Sequence, residues 1–161
     1  MLLVILDDGR CTFRAAEGEL VAPLGTTALG AQLPTDPPRA DDLSNAIGAV
    51  HDALDDVLRA LPATAGVGPV EVAGAAMAAI ADVELGRTAS LPFEISRDAA
   101  EDVFRTVVTE RRVDRARNPG LDAAQLDAVV PACCVLVGLM RRLRLDRVRI
   151  VTTPADDDGT P

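Results

Sequence analysis

The sequence predicts an α/β domain, a mixed sheet of about five strands with helices packed on it. Three observations lead there. Three short apolar or alternating runs, Leu2–Leu6, Cys11–Ala15 and Leu20–Leu24, follow one another at turn-length spacing. Two later stretches, Leu43–Leu61 and Ala100–Val108, repeat apolar residues at the 3.6 period of a helix. Two isolated strand-like runs, Val70–Ala73 and Arg147–Val151, alternate with those helices.

Each element has a local reason. Leu2–Leu6 is continuously apolar, as a strand buried on both sides would be. Asp7-Asp8-Gly9-Arg10 carries the Asp-Gly signature of a tight hairpin, and Cys11–Ala15 returns from it. Glu17-Gly18-Glu19 is a second turn and Leu20–Leu24 a third strand, completing an antiparallel meander. Thr35-Asp36-Pro37-Pro38 breaks the chain, and Asp41 and Asp42 suit the positive end of the helix that follows. Leu43, Ile47, Val50, Leu54, Val57, Leu58 and Leu61 form its apolar stripe, and Pro62 with Gly66-Val67-Gly68-Pro69 ends it. After Val70–Ala73, Gly74 opens a helix reaching about Leu85, with Gly86 as its stop. Leu91–Ile95 is extended, and Ser96 caps a helix whose buried face is Ala100, Val103, Phe104, Val107 and Val108. Arg111, Arg112, Arg115 and Arg117 close that helix, and Asn118-Pro119-Gly120 is a loop. Leu121 or Asp122 begins a long helix to about Leu143, apolar all round over 128–140 and therefore central; Pro131 kinks it or splits it in two. Residues 1–153 form one lobe, and residues 154–161, with Asp156–Asp158, a disordered acidic tail.

Composition excludes several functions. A chain of 161 residues, 48% hydrophobic, supports one core and is not disordered by composition. A net charge of −9 argues against general binding of nucleic acids or acidic membranes, which rests on neutralising phosphates. All 16 basic residues are arginine. Met1–Leu6 lacks a basic start and runs into Asp7 and Asp8, so it does not read as a signal peptide. Ala128–Met140 falls short of the roughly 20 apolar residues of a membrane span. A cytoplasmic protein is expected. Cys11, Cys133 and Cys134 form no Cys-x-x-Cys or Cys/His set, so zinc is not expected, and the adjacent pair reads as small core residues rather than a redox couple. His51, the single histidine, has no Ser or Cys partner for a triad and is expected on an exposed helix flank.

Three antiparallel strands, a helix, a strand, further helices and a last strand make the topology of one ribonuclease-H-like lobe, the repeated unit of the actin, Hsp70 and sugar-kinase superfamily. Short motifs narrow this. Pro119-Gly120-Leu121, then Gln125-Leu126-Asp127 and the apolar run to Leu136, resembles the "PGL…R-A-D-x-I-x-x-G-A-x-x-L" of the Ppx/GppA phosphatase family, the exopolyphosphatases and guanosine pentaphosphate phosphohydrolases. Leu3–Phe13 stands where that family has "V-x-D-I-G-G-G-S-T-E". Pro23-Leu24-Gly25 resembles its "L-P-L-G", Asp36-Pro37-Pro38 its "D-P-P", and Leu85-Gly86 its "L-G". Val72–Ile80 takes the place of "G-G-T-A-T-T-L-A", and Phe93–Ser96 lies near "V-H-G-x-x-L-S". The matches are short; their order and spacing carry the resemblance.

The resemblance implies two phosphate-binding loops and cleavage of phosphoanhydride bonds. Such loops need small residues, so that backbone N–H groups reach the anion, and hydroxyls as extra donors. Asp7, Asp8, Gly9, Arg10 and Gly74 are the residues left for that role here. One glycine survives in the first loop, and alanine or methionine replaces each threonine of the second. The paired carboxylates repel a bare phosphate, although they suit Mg²⁺ if any activity is retained. The alternative is a solvated hairpin turn. Gln125 replaces the family arginine, Ala132 the following glycine, and no histidine stands near Phe93. The family's general base is a glutamate of the other lobe, and its last strand leads into a further helix, where Thr152–Pro161 reads as tail. No catalytic residue is therefore assigned.

Arg141, Arg142 and Arg144, with Arg147 and Arg149 beyond them, form a candidate polyanion patch for polyphosphate or a guanine nucleotide; the alternative is capping of a helix C-terminus. The expected function is a degenerate lobe that binds a phosphorylated ligand, a second copy of itself or a partner phosphatase lobe. The competing expectation is a polyphosphate or guanosine pentaphosphate hydrolase completed by a second chain.

Overall fold

The computed structural model describes residues 1–65 and 68–155. Gly66-Val67 of the expected stop signal, and Asp156–Asp158 of the expected tail, lie outside the described residues. Six strands form one sheet: β1 (Leu2–Leu6), β2 (Cys11–Ala15), β3 (Gly18–Ala22), β4 (Val70–Ala73), β5 (Phe93–Ser96) and β6 (Arg147–Val151), in the order β3-β2-β1-β4-β6-β5. The first three are the expected meander, and β1, β4 and β6 run parallel. The extended segment before Ser96 adds a sixth strand, β5, antiparallel to β6 at the edge. The third strand begins two residues before its expected start, with Gly18 opposite Ala15.

Register separates the two faces of this sheet. Val4 lies opposite Phe13 and Val72, and Ile150 opposite Val72 and Phe93. These residues, with Leu2, Leu6, Cys11 and Ile95, face the helices and build the core. Burial alternates along β1, with Leu3 and Ile5 only partly covered on the opposite face.

Six helices follow the strands: α1 (Thr26–Ala31), α2 (Ala40–Ala60), α3 (Ala75–Leu85), α4 (Arg97–Thr109), α5 (Arg112–Arg115) and α6 (Val129–Leu143). Helix α2 buries Leu43, Ile47, Val50, Leu54 and Val57, the stripe read from the sequence, and Pro62 follows its end. Helix α3 stops at Gly86, which adopts the left-handed conformation. Ser96 caps α4, its hydroxyl accepting from the Ala99 N–H at 3.1 Å. Helix α6 packs against α1, α2, α3 and α4 and buries every residue from Val129 to Met140, so the run that is apolar all round is central, as expected.

Three expectations are corrected, and one helix is added. The long helix begins at Val129 rather than Leu121 or Asp122. Pro131 has no N–H to donate and fits only the first turn, so a short 3-10 helix, Ala123–Gln125, and a turn precede α6 instead. Helix α1 was hidden, because six residues without an apolar stripe leave no periodic signal. Arg111–Arg117 does not extend α4, which ends at Thr109; a separate one-turn helix, α5, carries Arg112 and Arg115. His51 is half-buried rather than exposed. It packs on α2 beside Gly138 of α6, and its Nε2 is shielded with no hydrogen-bond partner among the described residues.

Candidate functional site

The Asp7–Arg10 turn and Gly74 meet at one end of the sheet. β1 and β4 are parallel neighbours, so their C-terminal ends emerge side by side. Gly74 adopts φ 126° and ψ 153°, and a Cβ there would lie 2.1 Å from the Leu6 carbonyl oxygen. Only glycine lets α3 begin in contact with the end of β1. The two candidate loops are therefore brought together.

The chemistry of the first loop is decided by Asp7. Its Oδ1 accepts from the backbone N–H of Gly9 and of Arg10, both at 2.8 Å. Its Oδ2 lies 3.5 Å from the Arg10 guanidinium. A phosphate oxygen in such a loop would need those same two N–H groups. Asp8 turns away to α1, its Oδ1 accepting from the Thr26 hydroxyl at 3.1 Å. The Asp7 and Asp8 carbonyls accept from the Thr26 and Thr27 N–H groups, both at 3.1 Å, and fasten the turn to α1. Among the described residues no group of three or more His, Cys, Asp or Glu side chains gathers into a metal site. Oδ1 of Asp7 is committed to its own turn.

Beside this turn lies a cleft of about 530 Å³, between α1, the 33–38 segment, α5 and the start of α6. Its polar lining includes Asp8, Thr35, Asp36, Arg112 and Asp127, set among Leu33, Pro34, Pro38 and Pro131. Two arginines organise it. Arg112 binds Asp127 through Nε at 2.8 Å, and its backbone N–H donates to Asp36 Oδ1 at 2.8 Å. The Asp127 carboxylate raises the Arg112 pKa. Arg115 is 4% exposed and donates to three carbonyls: Val107 at 3.3 Å, Leu126 at 2.7 Å and Glu110 at 3.2 Å. Burial pulls its pKa down. Thr35 Oγ1 is shielded, with no partner among the described residues. The sequence marks Arg115 only as one of four arginines closing a helix and Thr35 only as part of a chain break, and neither is a site candidate there.

The second basic run is placed apart. β6 follows α6 directly and runs parallel to β1, so Arg141, Arg142 and Arg144 stand at the sheet end opposite the turn and Gly74. Both nitrogens of the Arg141 fork reach Glu101 at 2.7 Å, and the guanidinium lies 5.8 Å from the Phe104 ring centre. Arg142 binds Asp55 through Nε at 2.9 Å. Arg144 turns the helix end in a left-handed conformation. The two arginine runs thus lie at opposite ends of α6, and carboxylates neutralise Arg112, Arg141 and Arg142.

Hydrogen bonding to Arg141 holds the Glu101 carboxyl below its ordinary range. Its stabilisation is complete above the ordinary carboxylate pKa and is lost as pH falls through the lowered value. Glu101→Gln is expected to cost under about 1 kcal/mol at pH 7. In urea melts the difference from wild type should vanish in acid. Burial raises the thiols: Cys11 and Cys134 to about 12, and Cys133 well above its ordinary value. All three are free and buried, which leaves little thiolate for redox chemistry.

The topology and the paired loops define an actin-like α/β lobe. No family model matches the sequence, and no curated protein matches it. Solved structures do. A crystal structure of an exopolyphosphatase-like protein superposes with a TM-score of 0.82 at 14% identity, over 94% of this chain and 54% of the other. The Aquifex aeolicus Ppx/GppA phosphatase, in its type II variant, gives 0.82 at 12% identity, over 94% and 52%. An exopolyphosphatase from Cytophaga hutchinsonii gives 0.74 at 17%, again over 94% and 52%. The chain therefore has the fold of a single Ppx/GppA-like lobe and spans about half the length of these structures. Among the described residues, no helix is long and apolar enough to cross a membrane.

Proposed function

We propose that this lobe acts by binding rather than by hydrolysis, and that its cleft edge receives a polypeptide partner, a phosphatase lobe being the leading candidate. The observation that carries this reading is Asp7 Oδ1, held at 2.8 Å on the two N–H groups a phosphate would use. A fixed carboxylate there opposes a phosphate oxygen both by occupancy and by charge. The start of α3 offers alanine and methionine in place of hydroxyl donors, and the arginines of both runs are largely paired. The cleft beside the turn combines apolar walls with polar groups, as the core and rim of a protein–protein interface do.

The test is phosphate release from polyphosphate with Mg²⁺, measured beside thermal stabilisation by the same ligand. Wild-type protein is expected to release none and to gain no stability. Asp7→Ala frees two N–H groups, so that variant is expected to gain stability from orthophosphate and polyphosphate while still releasing nothing. Release by the wild type that is lost in Gly9→Val would overturn the reading. It would favour instead a hydrolase completed by a second chain.

A further inference from the structure

The face of the sheet away from the described helices carries a pattern that is complementary to itself. Parallel strands almost always have both faces covered, yet among the described residues the helices pack on one face of β1, β4 and β6. Two rows of side chains cross the other face. In the first, from β3 to β5, stand Glu19, Arg14, Leu3, Glu71, Arg149 and, on the edge strand, Glu94. Arg14 binds Glu19 at 2.8 Å, and Arg149 lies 3.4 Å from Glu71. In the second row stand Val21, Thr12, Ile5, Ala73 and Val151. Val21 is 49% exposed and Leu3, Ile5 and Val151 are only partly covered, whereas Thr12 and Ala73 are buried within the chain itself.

From β3 to β6 the charges of the first row read minus, plus, neutral, minus, plus, and they change sign on reflection through β1; Glu94 on β5 lies beyond the mirrored strands. A two-fold axis along β1, lying between two facing sheets, exchanges β2 with β4 and β3 with β6. Arg14 of one copy then meets Glu71 of the other, and Glu19 meets Arg149. In the second row Val21 meets Val151 and Ile5 meets Ile5, while Thr12 and Ala73 stay buried within each copy. Leu3 meets Leu3 at the centre. The axis also bisects the offset of about 30° at which twisted sheets pack. We propose that this face is the interface of a symmetric homodimer, two copies packed sheet on sheet about β1. It stands apart from the cleft and does not depend on how the cleft is used.

Charge exchange tests it. Arg14→Glu places like charges across the axis, as does Glu71→Arg, and each is expected to raise the dimer dissociation constant tenfold or more. Arg14→Glu combined with Glu71→Arg sets two acids of one copy against two arginines of the other. It is expected to recover the dimer, although within each chain the new pairs repel. Circular dichroism and melting curves confirm that each variant is folded. If a variant is not, Glu19→Arg with Arg149→Glu poses the same question at the other quartet. Sedimentation of the wild type is expected at twice the 16.8 kDa of the chain. A wild type that stays monomeric at every concentration overturns the proposal. So does a dimer that the single exchanges leave unchanged or that the paired exchange does not recover.

Discussion

Gly74→Ala is expected to lower stability by about 3 kcal/mol, which for a chain of this size moves the melting temperature by roughly 10 °C. Two costs combine. At φ 126° and ψ 153°, Gly74 sits in backbone territory that residues with a Cβ rarely adopt. The new methyl would also lie 2.1 Å from the Leu6 carbonyl oxygen, where the end of β1 cannot yield without disturbing the sheet. Gly48→Ala is the control. Gly48 lies inside α2 with open space where its Cβ would go, so alanine there should stabilise by about 0.5–1 kcal/mol. Calorimetry of both proteins checks the pair. Equal effects would mean that the close approach at Gly74 has been misread.

Arg115→Met is expected to cost about 3 kcal/mol. Methionine matches much of the arginine stem but leaves the Val107, Glu110 and Leu126 carbonyls without their donor. Those carbonyls belong to the end of α4, the residue after it, and the turn before α6, so the guanidinium ties three segments together. Arg115→Lys should recover only part of the loss, because a single ammonium cannot match the planar fork. Urea unfolding at neutral pH measures both. A loss under about 0.5 kcal/mol in the methionine variant, the range of ordinary surface substitutions, would show that water replaces the arginine freely.

Much of the fold was legible because its signals are periodic or punctuated. β1, β2, β4 and β6 were read residue for residue, and α2 could be read from its stripe and its flanking prolines. What escaped lacked such signals, as α1 and α5 did. The site was less legible, since its state is set by one carboxylate folding back on its own turn. Asp-Asp-Gly-Arg is the same string whether Asp7 points to solvent or onto the amides of Gly9 and Arg10. The motifs that carried the resemblance are largely geometric. A Cβ on Gly120 would lie 2.0 Å from the Asp82 carbonyl oxygen, and Pro119 packs 4.0 Å from the position of a Gly86 Cβ. Those glycines join the 119–121 segment to the end of α3, a task independent of phosphate chemistry.

β6 is the last strand among the described residues, yet it sits inside the sheet, between β4 and β5. β5 pairs with no other strand, so until Arg147–Val151 arrives it has no partner and β4 keeps an open edge. During synthesis the polypeptide must therefore hold two unpaired strands until nearly all of its described length has left the ribosome. Exposed edges of this kind are templates for association between nascent chains. β6 thus satisfies both neighbours in one step, closing the β4 edge and giving β5 its partner.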